Sequence, residues 1–224
     1  MGAKIELCYL SNDNIKNILN NLINVLFQLG ISYNENIQGE YTYWIDSPFW
    51  NFGDSNTVVE KCENTYKTLN DMNDILNLLS NNYSPTLTFG LNLFERDIAL
   101  VVSIFESEGN WKEVKIALDR YEAYDSQNDI KKEKILLFLN ELFCILAESL
   151  KPYYGICATE IMGLATSPEQ LFIEKDTLGD FNYFCLELVS KINLKVYKND
   201  FIVKELTDGS VILVKQYGLF NLGY

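Results

Sequence analysis

The chain has 224 residues and a formal net charge of −13, from 31 acidic and 18 basic side chains. A field of that sign repels phosphate backbones, so the composition disfavours nucleic-acid binding and favours a basic protein partner. Hydrophobic residues make up 48% and charged residues 22% of the chain, which is typical of a globular protein with a substantial core. The apolar runs fall short of the roughly 20 residues that span a bilayer, so no membrane association is expected.

Cysteine usage and the first residues of the chain indicate a cytoplasmic protein. Five cysteines are scattered along the sequence and include no CxxC pair. An odd and dispersed set of this kind predicts reduced thiols in a cytoplasm. The first ten residues contain no basic region leading into an apolar stretch, so a signal peptide is not expected.

A first strand and two helices are predicted between residues 4 and 79. The strand covers residues 4–10, and Ser11 or Asp13 caps the first helix, because a side-chain oxygen accepts the unpaired N–H groups of a first turn. The second helix is predicted from about residue 57 to residue 79. The apolar residues of the first helix recur at helical spacing and end at Gly30: Ile15, Ile18, Leu19, Leu22, Ile23, Leu26 and Phe27.

Residues 85–161 predict three strands, a long apolar helix and a fourth strand. Residues 86–93 and 111–121 alternate between apolar and polar side chains, as half-buried strands do. Residues 98–105 are apolar on both faces, which predicts a central strand covered on each side. The turns between the three strands are short, so they are expected to be antiparallel neighbours. A buried helix over 130–150 and a strand over 153–161 complete a βββαβ central unit.

The remaining residues predict shorter elements. A helix begins at Ser167, because this capping residue is followed at once by Pro168. Residues 181–192 predict a strand and then a helical turn, and residues 201–206 and 210–216 predict a terminal hairpin. The fold class expected from the whole pattern is α+β, with a mainly antiparallel sheet, helices packed on it, and a single domain over residues 1–224.

The absence of histidine limits the chemistry that the chain can perform. It excludes Ser–His and Cys–His nucleophilic pairs, histidine general bases and histidine metal ligands. The cysteines are not clustered for zinc, and neither GxGxxG nor GxxxxGK[ST] occurs. No catalytic residue, no metal site and no cofactor is therefore predicted, and the chain is interpreted as non-enzymatic.

Several carboxylates and thiols have a structural interpretation. Glu106 and Glu108 flank a predicted hairpin turn, and Glu160 is expected to be a solvated or ion-paired acid at a strand end. Residues 71–74 superficially resemble a calcium loop but lack its glycine and its final glutamate, so they are interpreted as a helix face. Cys144 and Cys157 lie in apolar runs and are expected to be buried thiols.

An aromatic segment at residues 40–53 is the best candidate for a working surface. Pro48 interrupts it, and its first half is predicted to be a strand. Tryptophan and tyrosine anchor protein interfaces because they bury large areas at low entropic cost. The alternative is a flap packed over the core. The residues predicted to bind a partner are Tyr41, Tyr43, Trp44, Asp46, Phe49, Trp50, Phe52 and Asp54.

These observations favour a non-enzymatic acidic cytoplasmic protein that binds and masks a basic protein partner. In composition and architecture the chain is similar in broad character to bacterial immunity proteins that neutralise toxins. That resemblance rests on no motif and assigns no residues. Two alternatives stay open: a carboxylate- or metal-dependent enzyme, and a structural subunit that buries the aromatic segment against another copy of itself.

Overall fold

Ten antiparallel strands form one continuous sheet in the computed structural model, which describes residues 4–29, 39–45, 60–66, 72–93, 96–106, 110–119, 129–159 and 178–216. In chain order the strands are β1 (Lys4–Ser11), β2 (Gly39–Trp44), β3 (Lys61–Tyr66), β4 (Tyr83–Leu93), β5 (Arg96–Glu106), β6 (Lys112–Asp119), β7 (Tyr154–Thr159), β8 (Phe181–Phe184), β9 (Phe201–Glu205) and β10 (Val211–Lys215). In space they run β3-β2-β4-β5-β6-β1-β7-β8-β10-β9. β3 and β9 are thus the edge strands of the described sheet.

Three longer helices in the described part of the chain cover one face of this sheet. They are α1 (Ile15–Gln28), α2 (Met72–Ser80) and α3 (Asp129–Leu150), and α1 packs between the other two. A short helix, α4 (Leu186–Val189), and a 3₁₀ turn (Leu194–Val196) precede β9. The prediction of a mixed fold with a mainly antiparallel sheet is therefore confirmed, as are the long helix before β7 and the terminal hairpin of β9 and β10.

The prediction that Ser11 or Asp13 caps α1 is wrong. The backbone N–H of Asn17 donates to the side-chain oxygen of Asn14 at 2.9 Å, so Asn14 is the capping residue. Asp13 instead accepts from the backbone N–H of Asn14. An N-terminal cap bonds to the second or third helical residue, which selects Asn14 for a helix that begins at Ile15.

The helix predicted over residues 57–79 is also wrong in its first half. Residues 61–66 form β3, and the helix begins only at Met72. Cys62 and Tyr66 are four residues apart, a spacing that both a helix and a strand place on one face. The polar residues between them include Asn64 and the β-branched Thr65, which favour a helix only weakly.

The βββαβ unit is not confirmed as a separate unit, because β1 lies between β6 and β7 and pairs with both. The strand predicted to be covered on each side is β5, and its two faces differ. Ile98, Leu100, Val102 and Ile104 are buried, whereas Phe105 on the other face is 37% exposed. Apolar side chains on both faces of a strand therefore did not indicate two covered faces here.

The buried residues that the structure describes fall into two clusters on opposite faces of the sheet. The larger one lies between the sheet and helices α1–α3, and it includes Tyr9, Ile116 and Phe143. The smaller one lies on the other face beneath residues 186–201, and it includes Leu10, Tyr154 and Phe184. The helix predicted at Ser167 lies outside the described residues, and the single domain stays a prediction.

Candidate functional site

Strand β2 carries the three predicted partner-binding residues that the structure describes. Tyr41 and Tyr43 are half-buried against the larger core, on the face that the helices cover. Side chains alternate along a strand, so Trp44 lies on the other face, where it is also half-buried. Five predicted residues lie outside the described part of the chain: Asp46, Phe49, Trp50, Phe52 and Asp54.

The end of β2 is apolar and partly exposed. Trp44 is opposite Tyr83 of β4, and Tyr83 is 38% exposed. The next residue, Ile45, is 46% exposed, and its N–H donates to the carbonyl of Glu60 at 3.2 Å. Ile45 and Glu60 are therefore neighbours at this end of the described sheet.

Further aromatic residues lie at the same end of the sheet. Because neighbouring strands are antiparallel, β2 and β5 end where β4, β6 and β7 begin. Phe105 lies near the end of β5, and Trp111 and Tyr153 directly precede β6 and β7. The rings of Trp111 and Tyr153 meet edge-to-face, with centroids 5.5 Å apart. We call this set the aromatic end: Trp44, Ile45, Tyr83, Phe105, Trp111 and Tyr153.

The aromatic end extends across more than half of the strands of the described sheet. Five strand intervals separate β2 from β7, and at about 4.8 Å each they span roughly 24 Å. Tyr153 also contacts a surface ion pair, since its hydroxyl lies 3.4 Å from Glu187 and 3.5 Å from Lys191. Sequence reasoning predicted only Trp44 of this set and missed Ile45, Tyr83, Phe105, Trp111 and Tyr153. Phe105, Trp111 and Tyr153 were each visible as an aromatic residue at the end of a predicted strand.

Strand β3 forms an exposed acidic edge beside β2. Residues 39–45 and 60–66 carry three exposed carboxylates, on Glu40, Glu60 and Glu63, and one lysine, Lys61. Lys61 forms an ion pair with Glu63. Behind this edge the hydroxyl of Tyr43 is hydrogen-bonded to the thiol of Cys62, and this bond raises the pKa of Tyr43.

Carboxylates converge at one place in the described residues. Lys115 of β6 lies 3.7 Å from a carboxylate oxygen of Glu6 and 3.8 Å from one of Glu113. The ammonium group compensates both acids on a half-buried strip of the sheet. Glu106 lies apart from them, and burial raises the pKa of its carboxyl while Lys112 opposes that rise. Glu108, Glu160 and Asp71 lie outside the described residues.

The thiols predicted to be structural are buried. Cys157 is fully buried in β7, and Cys144 is buried on α3. Burial raises the pKa of both thiols. A thiol with a raised pKa is a poor nucleophile at neutral pH, because the thiolate is the reactive form.

Among the residues that the structure describes, no group of three or more cysteine, aspartate or glutamate side chains is placed to hold a metal ion. Within the same residues, no helix is both long and apolar enough to cross a membrane. The chain matches no known protein family and no curated protein sequence. The function is therefore inferred from the residues at the aromatic end and the acidic edge.

Proposed function

We propose that this chain is a non-enzymatic cytoplasmic protein that binds and masks a basic protein partner, as a toxin immunity protein does. The observation that carries the proposal is the aromatic end, where five aromatic residues and Ile45, on or directly before five strands, are partly exposed at one end of the sheet. Partly exposed aromatic side chains that are already held by a rigid sheet lose little entropy on binding.

The charge beside the aromatic end supports a basic partner. Glu60, whose carbonyl accepts from the Ile45 N–H, is exposed beside the aromatic end, and Glu63 and Glu40 are exposed farther along β3 and β2. The whole chain carries a net charge of −13. Aromatic anchors supply most of the affinity in such an interface, whereas complementary charge accelerates association and selects the partner. The nature of the partner is thus set by the carboxylates and its position by the aromatic residues.

The proposal is tested by recovering a partner with the tagged chain and then rebuilding the complex from the two purified proteins. We expect a basic protein whose own activity is suppressed in the complex. Replacing Trp44 and Phe105 together by alanine is expected to weaken binding at least about 30-fold, as the loss of interface anchors does. Leu137→Ala is the matched control, because Leu137 is 60% exposed but lies on α3.

Three results would contradict the proposal. The first is a double variant that stays folded, as judged by its unfolding midpoint, and binds as tightly as the parent chain. The second is a Leu137→Ala variant that binds as weakly as the double variant. The third is a purified partner that is acidic or keeps its full activity in the complex.

A further inference from the structure

The hydrogen-bond phase of β3 leaves alternate peptide groups directed away from the sheet. β2 and β3 pair without a register shift from Gly39–Tyr66 to Trp44–Lys61. The bond from the Ile45 N–H to the Glu60 carbonyl continues this register. It shows that Ile45 and Glu60 form a hydrogen-bonded pair, and so determines which residues of β3 bond to β2. Bonded pairs recur at every second residue of an antiparallel ladder. Glu60, Cys62, Asn64 and Tyr66 thus bond toward β2, and Lys61, Glu63 and Thr65 direct their N–H and C=O groups outward.

The two faces of this edge differ in chemistry. On one face Cys62 is opposite Tyr43, and Asn64 is opposite Tyr41. Both tyrosines and Cys62 are half-buried, so this face offers apolar surface. On the other face Glu63 is opposite Thr42, and Glu40 is opposite Thr65, with both carboxylates exposed. Lys61 lies on this face too and pairs with Glu63, so two carboxylates stand against one ammonium group. An added strand would place alternate side chains against these two surfaces.

The edge strand at the other end of the sheet is less suited to the same partner. The N–H of Phe201, at the start of β9, donates to the carbonyl of Tyr197 at 2.9 Å and is therefore already bonded. Lys198, Lys204 and Lys215 are exposed on or beside β9 and its neighbour β10. These three ammonium groups repel a basic partner, whereas the one lysine of β3, Lys61, is ion-paired with Glu63.

We propose that β3 accepts an extended segment of the basic partner as an eleventh strand of the described sheet, with basic and apolar residues alternating along that segment. The inference rests on the proposed function, because it assigns the mode of binding to the same partner. Basic side chains of the segment face Glu63 and Glu40, and its apolar side chains lie over Cys62 and Tyr43. The outward groups of Lys61, Glu63 and Thr65 supply the main-chain hydrogen bonds.

Amide hydrogen exchange followed by NMR tests this mode, with an acetylated octapeptide of alternating lysine and valine as the probe. Without the peptide, the amides of Lys61, Glu63 and Thr65 are expected to exchange faster than those of Cys62 and Asn64. With saturating peptide, we expect the three outward amides to slow by about tenfold or more, since they become bonded. A peptide of alternating glutamate and valine is the charge control and should leave them unchanged.

A pair of substitutions at one position separates strand addition from charge. Thr65→Pro removes an outward N–H without removing a carboxylate or a bond to β2, and edge strands tolerate proline at such positions. It is expected to weaken peptide binding by about tenfold. Thr65→Val keeps the N–H and should bind as the parent chain does. Slow exchange at Cys62 and Asn64 in both variants shows that β3 is still formed.

The inference is overturned if the outward amides are already as protected as the inward ones without peptide. It is also overturned if the lysine peptide binds without protecting them, or if Thr65→Pro binds like Thr65→Val. One result would contradict strand addition and leave the proposed function intact. In it, the purified partner binds the parent chain and not the Trp44/Phe105 double variant, but binding does not slow exchange at the amides of β3. If no basic protein binds the chain at all, the proposed function fails and strand addition fails with it.

Discussion

The hydroxyl of Tyr9 donates a hydrogen bond to the backbone carbonyl of Phe143 at 3.2 Å, and the two rings stack with centroids 5.3 Å apart. Both residues are fully buried. Tyr9 belongs to β1, the sixth strand of the sheet, and Phe143 belongs to α3. This contact therefore joins the middle of the sheet to the longest of the described helices.

Substitution of Tyr9 tests how much this contact stabilises the fold. Tyr9→Phe removes the hydrogen bond and keeps the ring, so the free energy of unfolding should fall by about 1 kcal/mol. Tyr9→Ala also opens a cavity beside Phe143 and should cost about 3–5 kcal/mol. Urea unfolding measures both values. Equal losses for the two variants would mean that the stacked rings contribute nothing.

Gly39 and Tyr66 hold the edge strand in place. A Cβ atom on Gly39 would overlap the ring of Tyr66, whose hydroxyl donates to the carbonyl of Thr88 at 2.7 Å. The ring thus crosses β2 and connects β3 to β4. Gly39→Ala is expected to displace it, to cost about 1–3 kcal/mol by overpacking, and to speed amide exchange along β3.

A double-mutant cycle identifies the cause of that loss. In a Tyr66→Ala background the Cβ of residue 39 no longer meets a ring, so Gly39→Ala should cost much less than it does in the parent chain. The cycle is read from urea unfolding of the four proteins. Equal costs of Gly39→Ala in the two backgrounds would contradict the overlap.

The rate at which each cysteine is alkylated in the native protein should depend on its burial. Cys62 and Cys185 are half-buried, whereas Cys8, Cys144 and Cys157 are buried, and burial raises the pKa of these three thiols. Iodoacetamide reacts with the thiolate, so we expect it to label the first two in the native protein and the other three only after unfolding. Peptide mapping after a short pulse measures the rates. Native labelling of Cys157 as fast as that of Cys62 would contradict this order.

The spacing of apolar residues within single segments predicted several strands and helices correctly. The alternation of residues 86–93 indicated β4, whose Leu87 and Phe89 are buried, and the helical stripe from Ile135 to Leu150 indicated α3. The position of β1 between β6 and β7 depends on pairing between distant segments. Alternation shows which face of a strand is buried but not which strand lies beside it.

The candidate site depended on the same distant pairing. The aromatic residues of β2 were visible as a cluster in the sequence, so Trp44 was predicted. Phe105, Trp111 and Tyr153 are far apart along the chain and lie at the same end of the sheet only because of the order and direction of β5, β6 and β7. The acidic edge was hidden for another reason, since residues 61–66 were assigned to a helix and form an edge strand.

Ionisation of Glu106 should lower the free energy of unfolding as the pH rises. Burial raises the pKa of this carboxyl above its ordinary value of 4.5, so the native state holds the proton more tightly than the unfolded chain does. The stabilisation from Glu106 is thus fully present below pH 4.5 and is lost as the pH rises through the raised pKa. Glu106→Gln cannot ionise. We therefore expect the variant to gain stability relative to the parent chain across that window.

Asp208→Asn supplies a control of opposite sign. The hydroxyl and N–H of Ser210 donate to the Asp208 carboxylate and lower its pKa below the ordinary value of 3.8. The stabilisation from Asp208 is present above pH 3.8 and is lost as the pH falls through the lowered pKa. Urea unfolding of the three proteins between about pH 3 and pH 7 measures both trends. Only a carboxyl with a raised pKa destabilises the native state as it ionises. The assignment to Glu106 is therefore wrong if the free energy of unfolding of Glu106→Gln differs from that of the parent chain by the same amount at every pH. It is also wrong if the differences for the two variants change in the same direction with pH.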